Sequence, residues 1–167
     1  MEKSKKPIAE EIKNHYKSYD ESQRLTNGFG ALEQTRTQEL IQRYLPAPPA
    51  TVLDIGGANG VYSFWLSNLG YQVHLIDIAD NHIAQAKKIA GEQSIPLESM
   101  VVGDARKLDF PDNFADVIIM HGPLYHLIER NDRLTALRES LRILKPNGVL
   151  LGFAFHGLIS LDLGQHF

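Results

Sequence analysis

Residues 51–60, TVLDIGGANG, constrain this chain more than any other stretch. Thr51, Val52 and Leu53 form a short apolar, β-branched run that Asp54 closes, and the glycines after it allow backbone turns closed to side chains with a Cβ. An apolar pattern then resumes, with Val61, Phe64, Trp65 and Leu69 at helical spacing. The reading is strand, glycine turn, helix. A ligand is expected at the turn, where backbone N–H groups are free at the helix N-terminus.

From Thr51 onward strands and helices alternate, which is the pattern of a parallel sheet with crossover helices. Val73-His74-Leu75-Ile76 is a second apolar run, ending at Asp77, and Asp80 or Asn81 is placed to cap the helix that carries Ile83, Ala86 and Ala90. Ser99-Met100-Val101-Val102 is a third strand, closing on Gly103-Asp104, and residues 115–120 are a fourth, strongly buried one. Leu134, Leu137, Leu141 and Leu144 mark one face of the next helix, which Lys145-Pro146-Asn147-Gly148 ends before a fifth strand at residues 149–155. Ahead of this unit the spacing predicts helices over 8–19 and 31–45, the second stopped by Pro46-Ala47-Pro48-Pro49. The division expected is a helical lid at 1–49, an α/β doubly wound core at 50–157 and a tail at 158–167.

Composition excludes several chemistries. The absence of cysteine rules out disulfides, thiolate zinc sites and cysteine nucleophiles, including methyl transfer to pyrimidine C5 that begins with thiolate attack. A net charge of -3 gives no basic footprint, so nucleic acid is not the expected partner. No apolar run reaches the roughly 18–20 residues needed to span a bilayer, and no signal-peptide core follows the charged start; a cytoplasmic protein without a membrane partner is expected. The seven histidines are scattered, and no metal site is expected.

The glycine turn also separates two cofactor classes. Laid on the dinucleotide fingerprint G-x-G-x-x-G from Gly56, the second glycine position is Ala58 and the third is Val61, so that pattern does not fit. Asp54, Gly56 and Gly60 instead resemble motif I, D-x-G-x-G-x-G, of the class I S-adenosylmethionine-dependent methyltransferases, with Ala58 in place of the middle glycine. The resemblance covers roughly residues 16–155 and implies a Rossmann-like sheet, S-adenosylmethionine as cofactor and methyl transfer to an O, N or C atom of a small molecule. That donor carries a sulfonium and an ammonium against one carboxylate, so a carboxylate at the end of the first strand suits it and would repel a pyrophosphate.

The same resemblance implies the site. Gly56, Gly57 and Ala58 form the turn beside the cofactor; Asp77, about 20 residues on, takes the ribose hydroxyls, and Ile78 packs on the adenine. Asp104 and Ala105 match the G-D-A motif, with the carboxylate accepting from the adenine amino group. The backbone carbonyl of His121 lies near the ligand ammonium. Tyr125 or His126 orients the acceptor, and His126 is placed to take its proton. Tyr16 and Arg36 resemble lid residues that approach the sulfonium and pair with the ligand carboxylate in small-molecule methyltransferases such as glycine N-methyltransferase.

A complete sheet of this family adds an antiparallel pair after strand five. The chain is therefore expected either to be part of a longer protein or to cover that edge, for instance by pairing as a homodimer. Two rival readings stay open from sequence: a non-catalytic cofactor-binding or assembly module, and an NAD-dependent oxidoreductase on the shared fold.

Overall fold

The computed structural model describes residues 29–153. In chain order these form α1 (Phe29–Gln42), β1 (Thr51–Ile55), α2 (Val61–Asn68), β2 (Gln72–Asp77), α3 (Asp80–Gln93), β3 (Ser99–Val102), β4 (Ala115–Met120), α4 (Pro123–His126), α5 (Arg130–Ile143) and β5 (Leu144–Gly152). The strands make one parallel sheet in the order β3-β2-β1-β4-β5, the doubly wound arrangement expected. Chain direction across the sheet reverses between β1 and β4. At such a switch point the crevice beyond the strand ends is open to a ligand.

Both faces are covered, and strand alternation decides what meets what. Val52, Val73, Val117 and Ile119 pack with Ile41 of α1 and Tyr62 and Leu66 of α2. On the opposite face Leu53, Ile55, Ile118 and Met120 pack with Ala136 and Ile143 of α5. Leu75 joins Phe64, Ile83 and Ala86 between α2 and α3. Because Asp54 shares the face of Val52, its side chain points under α2, where it is fully buried.

Several local expectations are corrected. The buried side of α2 is Tyr62, Ser63, Phe64 and Leu66, while Leu69 is exposed, because the helix ends at Asn68 and Leu69 is its C-cap. Helix α5 buries Ala136, Ser140 and Ile143 and exposes Leu141; the Ser140 hydroxyl is tolerated there because it donates to the Ala136 carbonyl at 3.0 Å. The segment expected to stop that helix is already strand: Leu144 pairs with Ala115, and Asn147, at φ 66, accommodates the register shift before Val117 meets Val149. Among the described residues helix α1 runs over Phe29–Gln42, ending at Gln42 and not at residue 45. The N-cap of α3 is Ala79, not Asp80 or Asn81, and its N–H is taken by Asp77 instead. The helix expected over 8–19 lies outside the described residues. No helix among the described residues is long and apolar enough to cross a membrane.

Candidate functional site

The turn after β1 is built from close approaches. The Gly56 N–H donates to the Ile76 carbonyl at 2.7 Å, and Gly60 closes the loop on the Gly57 carbonyl at 2.9 Å. Gly56 has φ +75, and a Cβ there would lie 2.7 Å from Pro123 Cδ, so this position excludes side chains on both grounds. At Gly57 the obstruction lies below, since a Cβ would meet Asp54 Cγ at 2.5 Å and Leu75 Cδ1 at 2.6 Å. Ala58 has φ 50, the left-handed conformation in which the usual glycine carries no strain. Its N–H donates to Asp77 Oδ2 at 2.9 Å, which ties the turn to the end of β2.

A cavity of about 340 Å³ opens at the carboxyl ends of β1, β2, β3 and β4. Of the residues expected at the site, Gly56, Gly57 and Ala58 line it from the turn, and Asp77 and Ile78 from β2. Asp104 and Ala105 line it after β3, and His121, Tyr125 and His126 after β4. Asp54 does not reach the wall. It lies beneath Gly57, accepts a hydrogen bond from Ser63 Oγ at 2.7 Å, and sits 3.6 Å from Nδ1 of His121. Arg36 does not line the cavity either; it is exposed on α1 and paired with Glu39 at 2.6 Å, one helical turn along. Its neighbours Glu33 and Thr37 are the α1 residues that line the wall. Tyr16 lies outside the described residues.

The acidic residues differ in what surrounds them. Asp77 is buried and accepts from the N–H groups of Ala58 and Ala79, with His82 Nδ1 at 3.2 Å. Oδ1 takes two of these contacts and Oδ2 one, so Oδ2 keeps further acceptor capacity. Asp104 is held by one residue, Arg106, through its backbone N–H and its guanidinium. Burial of Asp104 works against ionisation, but the Arg106 hydrogen bonds and charge outweigh it and hold the carboxyl below its usual range. The expected rim of three carboxylates is thus two, one of them already paired.

Sequence reasoning missed part of the wall. The imidazole of His121 is stacked between Tyr62, with centroids 4.6 Å apart, and Phe153, at 4.4 Å, so rings from α2, the β4 end and the β5 end form one pile. His82, buried one turn into α3, was also missed. Alternation and motif spacing carry no sign of either. Their roles come from the crossing of separate elements.

The wall has the form a nucleoside cofactor needs: a glycine turn at the end of β1, held in place by contacts that exclude side chains at Gly56 and Gly57, and carboxylates at the next two strand ends. Comparison with known proteins agrees. A family model described as a methyltransferase domain matches residues 53–152. The ubiquinone/menaquinone biosynthesis C-methyltransferase UbiE of Azotobacter vinelandii is 36% identical over 118 residues, which are 68% of this chain and 46% of that protein. The chain spans about half the length of the curated relatives it matches or less. Among solved structures, a protein from Pyrococcus horikoshii OT3 superposes with a TM-score of 0.68 at 27% identity, covering 81% of this chain and 63% of that one. A SAM-dependent methyltransferase from Methanosarcina mazei gives 0.65 at 27% identity, covering 76% and 63%. The strand order, the glycine turn over a buried aspartate and these matches place the chain in the methyltransferase-domain family of class I S-adenosylmethionine-dependent methyltransferases.

Proposed function

We propose that this cavity binds S-adenosylmethionine and that the protein transfers its methyl group to an O, N or C atom of a small-molecule acceptor. The observation that carries the reading is convergence: the ends of four adjacent strands deliver the glycine turn, Asp77, Asp104 and His121 to one cavity. When bound, the cofactor supplies a methyl carbon activated by its sulfonium. This chain's residues hold and orient. Asp77 is the acceptor for ribose hydroxyls and Ile78 packs beside the base, while Asp104 and the Ala105 backbone N–H meet the adenine edge. Tyr125 and His126, side by side with ring centroids 4.6 Å apart, are the groups that orient the acceptor. His126 takes a proton only where the acceptor loses one. The apolar wall of Leu127 and Phe153 and the stacked rings limit water around the reacting atoms.

Support for the acceptor class comes from the relatives, since UbiE is named as a C-methyltransferase of quinone biosynthesis. Titration calorimetry with S-adenosylmethionine and its demethylated product tests the reading, and saturable binding of both is expected. Replacing Asp77 with Asn is expected to weaken binding by about 1.5–3 kcal/mol, the value of a charge-assisted hydrogen bond. Absence of saturation with either ligand at millimolar concentration would remove the proposal. Methyl transfer is then read with a labelled donor and a panel of phenol, quinol and amine acceptors.

A further inference from the structure

Arg106 does not line the cavity, yet its guanidinium and its backbone N–H both bond the carboxylate of the lining residue Asp104. Its Nε lies 3.0 Å from Asp104 Oδ1 and 3.1 Å from Oδ2, its Nη2 lies 2.6 Å from Oδ2, and its backbone N–H donates to Oδ1 at 2.9 Å. The remaining Nη1 donates to Asp132 Oδ2 of α5 at 3.0 Å. Both partners are about two-thirds buried, with 29% of the Arg106 and 32% of the Asp104 side chain exposed. Asp104 is fixed from its other side as well, because Gly103 donates to the Asp77 carbonyl at 2.9 Å.

An aspartate at a strand end ordinarily turns about two side-chain torsions, and ordering it when a ligand arrives has an entropic cost. A planar guanidinium gripping both oxygens removes that freedom beforehand, and a lysine, as a point charge, would not. We propose that Arg106 is a positioning residue for base recognition: anchored to α5 through Asp132, it clamps Asp104 as an oriented acceptor for the exocyclic amino group of the cofactor's adenine. The proposal rests on the cofactor reading above. It also assigns Asp104 a job beyond the one its charge suggests. With both its oxygens gripped by Arg106, Asp104 contributes orientation and acceptor character toward the base in addition to its charge.

The test is a ratio of two affinities, which cancels general damage to the fold. Calorimetry compares S-adenosylhomocysteine with S-inosylhomocysteine, in which a carbonyl oxygen replaces the amino donor and faces the Asp104 acceptor. Wild-type protein is expected to prefer the adenine ligand by about 10- to 100-fold, the range of one charge-assisted hydrogen bond. Arg106→Gln is expected to lower that preference by about 3- to 10-fold, the range for re-ordering a side chain, with little change for the inosine ligand. Arg106→Lys, which keeps the charge and loses the fork, is expected to fall between and serves if the glutamine variant does not fold. Asp132→Asn should give a smaller loss in the same direction. A preference in both Arg106 variants equal to wild type overturns the clamp while leaving the cofactor reading intact. Wild-type protein that binds neither ligand overturns the cofactor reading and the clamp with it.

Discussion

Gly57→Ala measures the support under the glycine turn. A Cβ at this position lies 2.5 Å from Asp54 Cγ and 2.6 Å from Leu75 Cδ1, both well inside van der Waals contact. Neither neighbour has room to retreat: Asp54 and Leu75 are each 0% exposed, and Asp54 is held by Ser63 at 2.7 Å. Overpacking of a buried site costs about 1–3 kcal/mol, and two immobile neighbours put this one near the upper end. With a urea slope of about 2 kcal/mol/M for a protein of this size, about 3 kcal/mol moves the unfolding midpoint down by roughly 1.5 M. The displaced turn carries Ala58, whose N–H bonds Asp77, so S-adenosylmethionine affinity should fall in parallel. Gly91→Ala is the control. Nothing lies within 4 Å of a Cβ there, and alanine near the end of α3 should raise stability by about 0.5–1 kcal/mol. Trimming Asp54 to Ala, which removes the γ atom, in the Gly57→Ala background should recover part of the loss, a non-additivity of about 0.5–3 kcal/mol between touching residues. A Gly57→Ala protein with the wild-type midpoint and wild-type affinity would refute the packing argument outright.

Ser63→Ala removes the hydroxyl that donates to the buried Asp54, and a loss of about 1.5–3 kcal/mol in denaturant unfolding is expected; unchanged stability would mean that another donor replaces it. Ala58→Gly relieves a left-handed backbone worth about 1–2 kcal/mol against a glycine entropy of about 0.5–1 kcal/mol, so a gain of up to about 1 kcal/mol is expected, and a loss would show that the methyl packs usefully. His74 supplies a pH dependence. Burial lowers its pKa, with Glu98 acting in the opposite sense. The folded state therefore binds its proton less readily than the unfolded chain, and stability falls as pH drops from about 7 through the ordinary histidine value near 6.5. His74→Gln should flatten that part of the melting-temperature profile, and a profile as steep as wild type would assign the slope to another group.

Much of the fold was legible because a parallel sheet covered on both faces writes itself as unbroken apolar runs. Ser99–Val102 and Ala115–Met120 begin and end where the sequence places them. The helix faces were less legible: Leu134, Leu137 and Leu141 have the spacing of a buried stripe, yet α5 turns Ala136, Ser140 and Ile143 inward, with Ala136 and Ile143 packed against Ala115, Ile118 and Met120 of β4. The cavity-lining residues that follow strand ends were expected from position alone. Asp54 was misjudged because a motif gives the sequence position of a carboxylate and not the face its strand turns it to. The contributions of Tyr62, His82, Phe153 and Thr37 depend on how helices cross the sheet, which no local spacing encodes.

The position of β3 at the sheet margin gives the cavity two unlike halves. The wall around the glycine turn and His121 stands on β1 and β4, each flanked by neighbours on both sides, whereas Asp104 follows a four-residue strand that has one neighbour among the described residues, with Val101 and Val102 39% and 50% exposed. Amide protection should accordingly be deep along β1 and β4 and shallower along β3, so that margin opens at lower cost than the centre. A nucleoside bound as proposed would pass this margin on entry and departure without loosening β1 and β4, while Arg106 keeps Asp104 oriented.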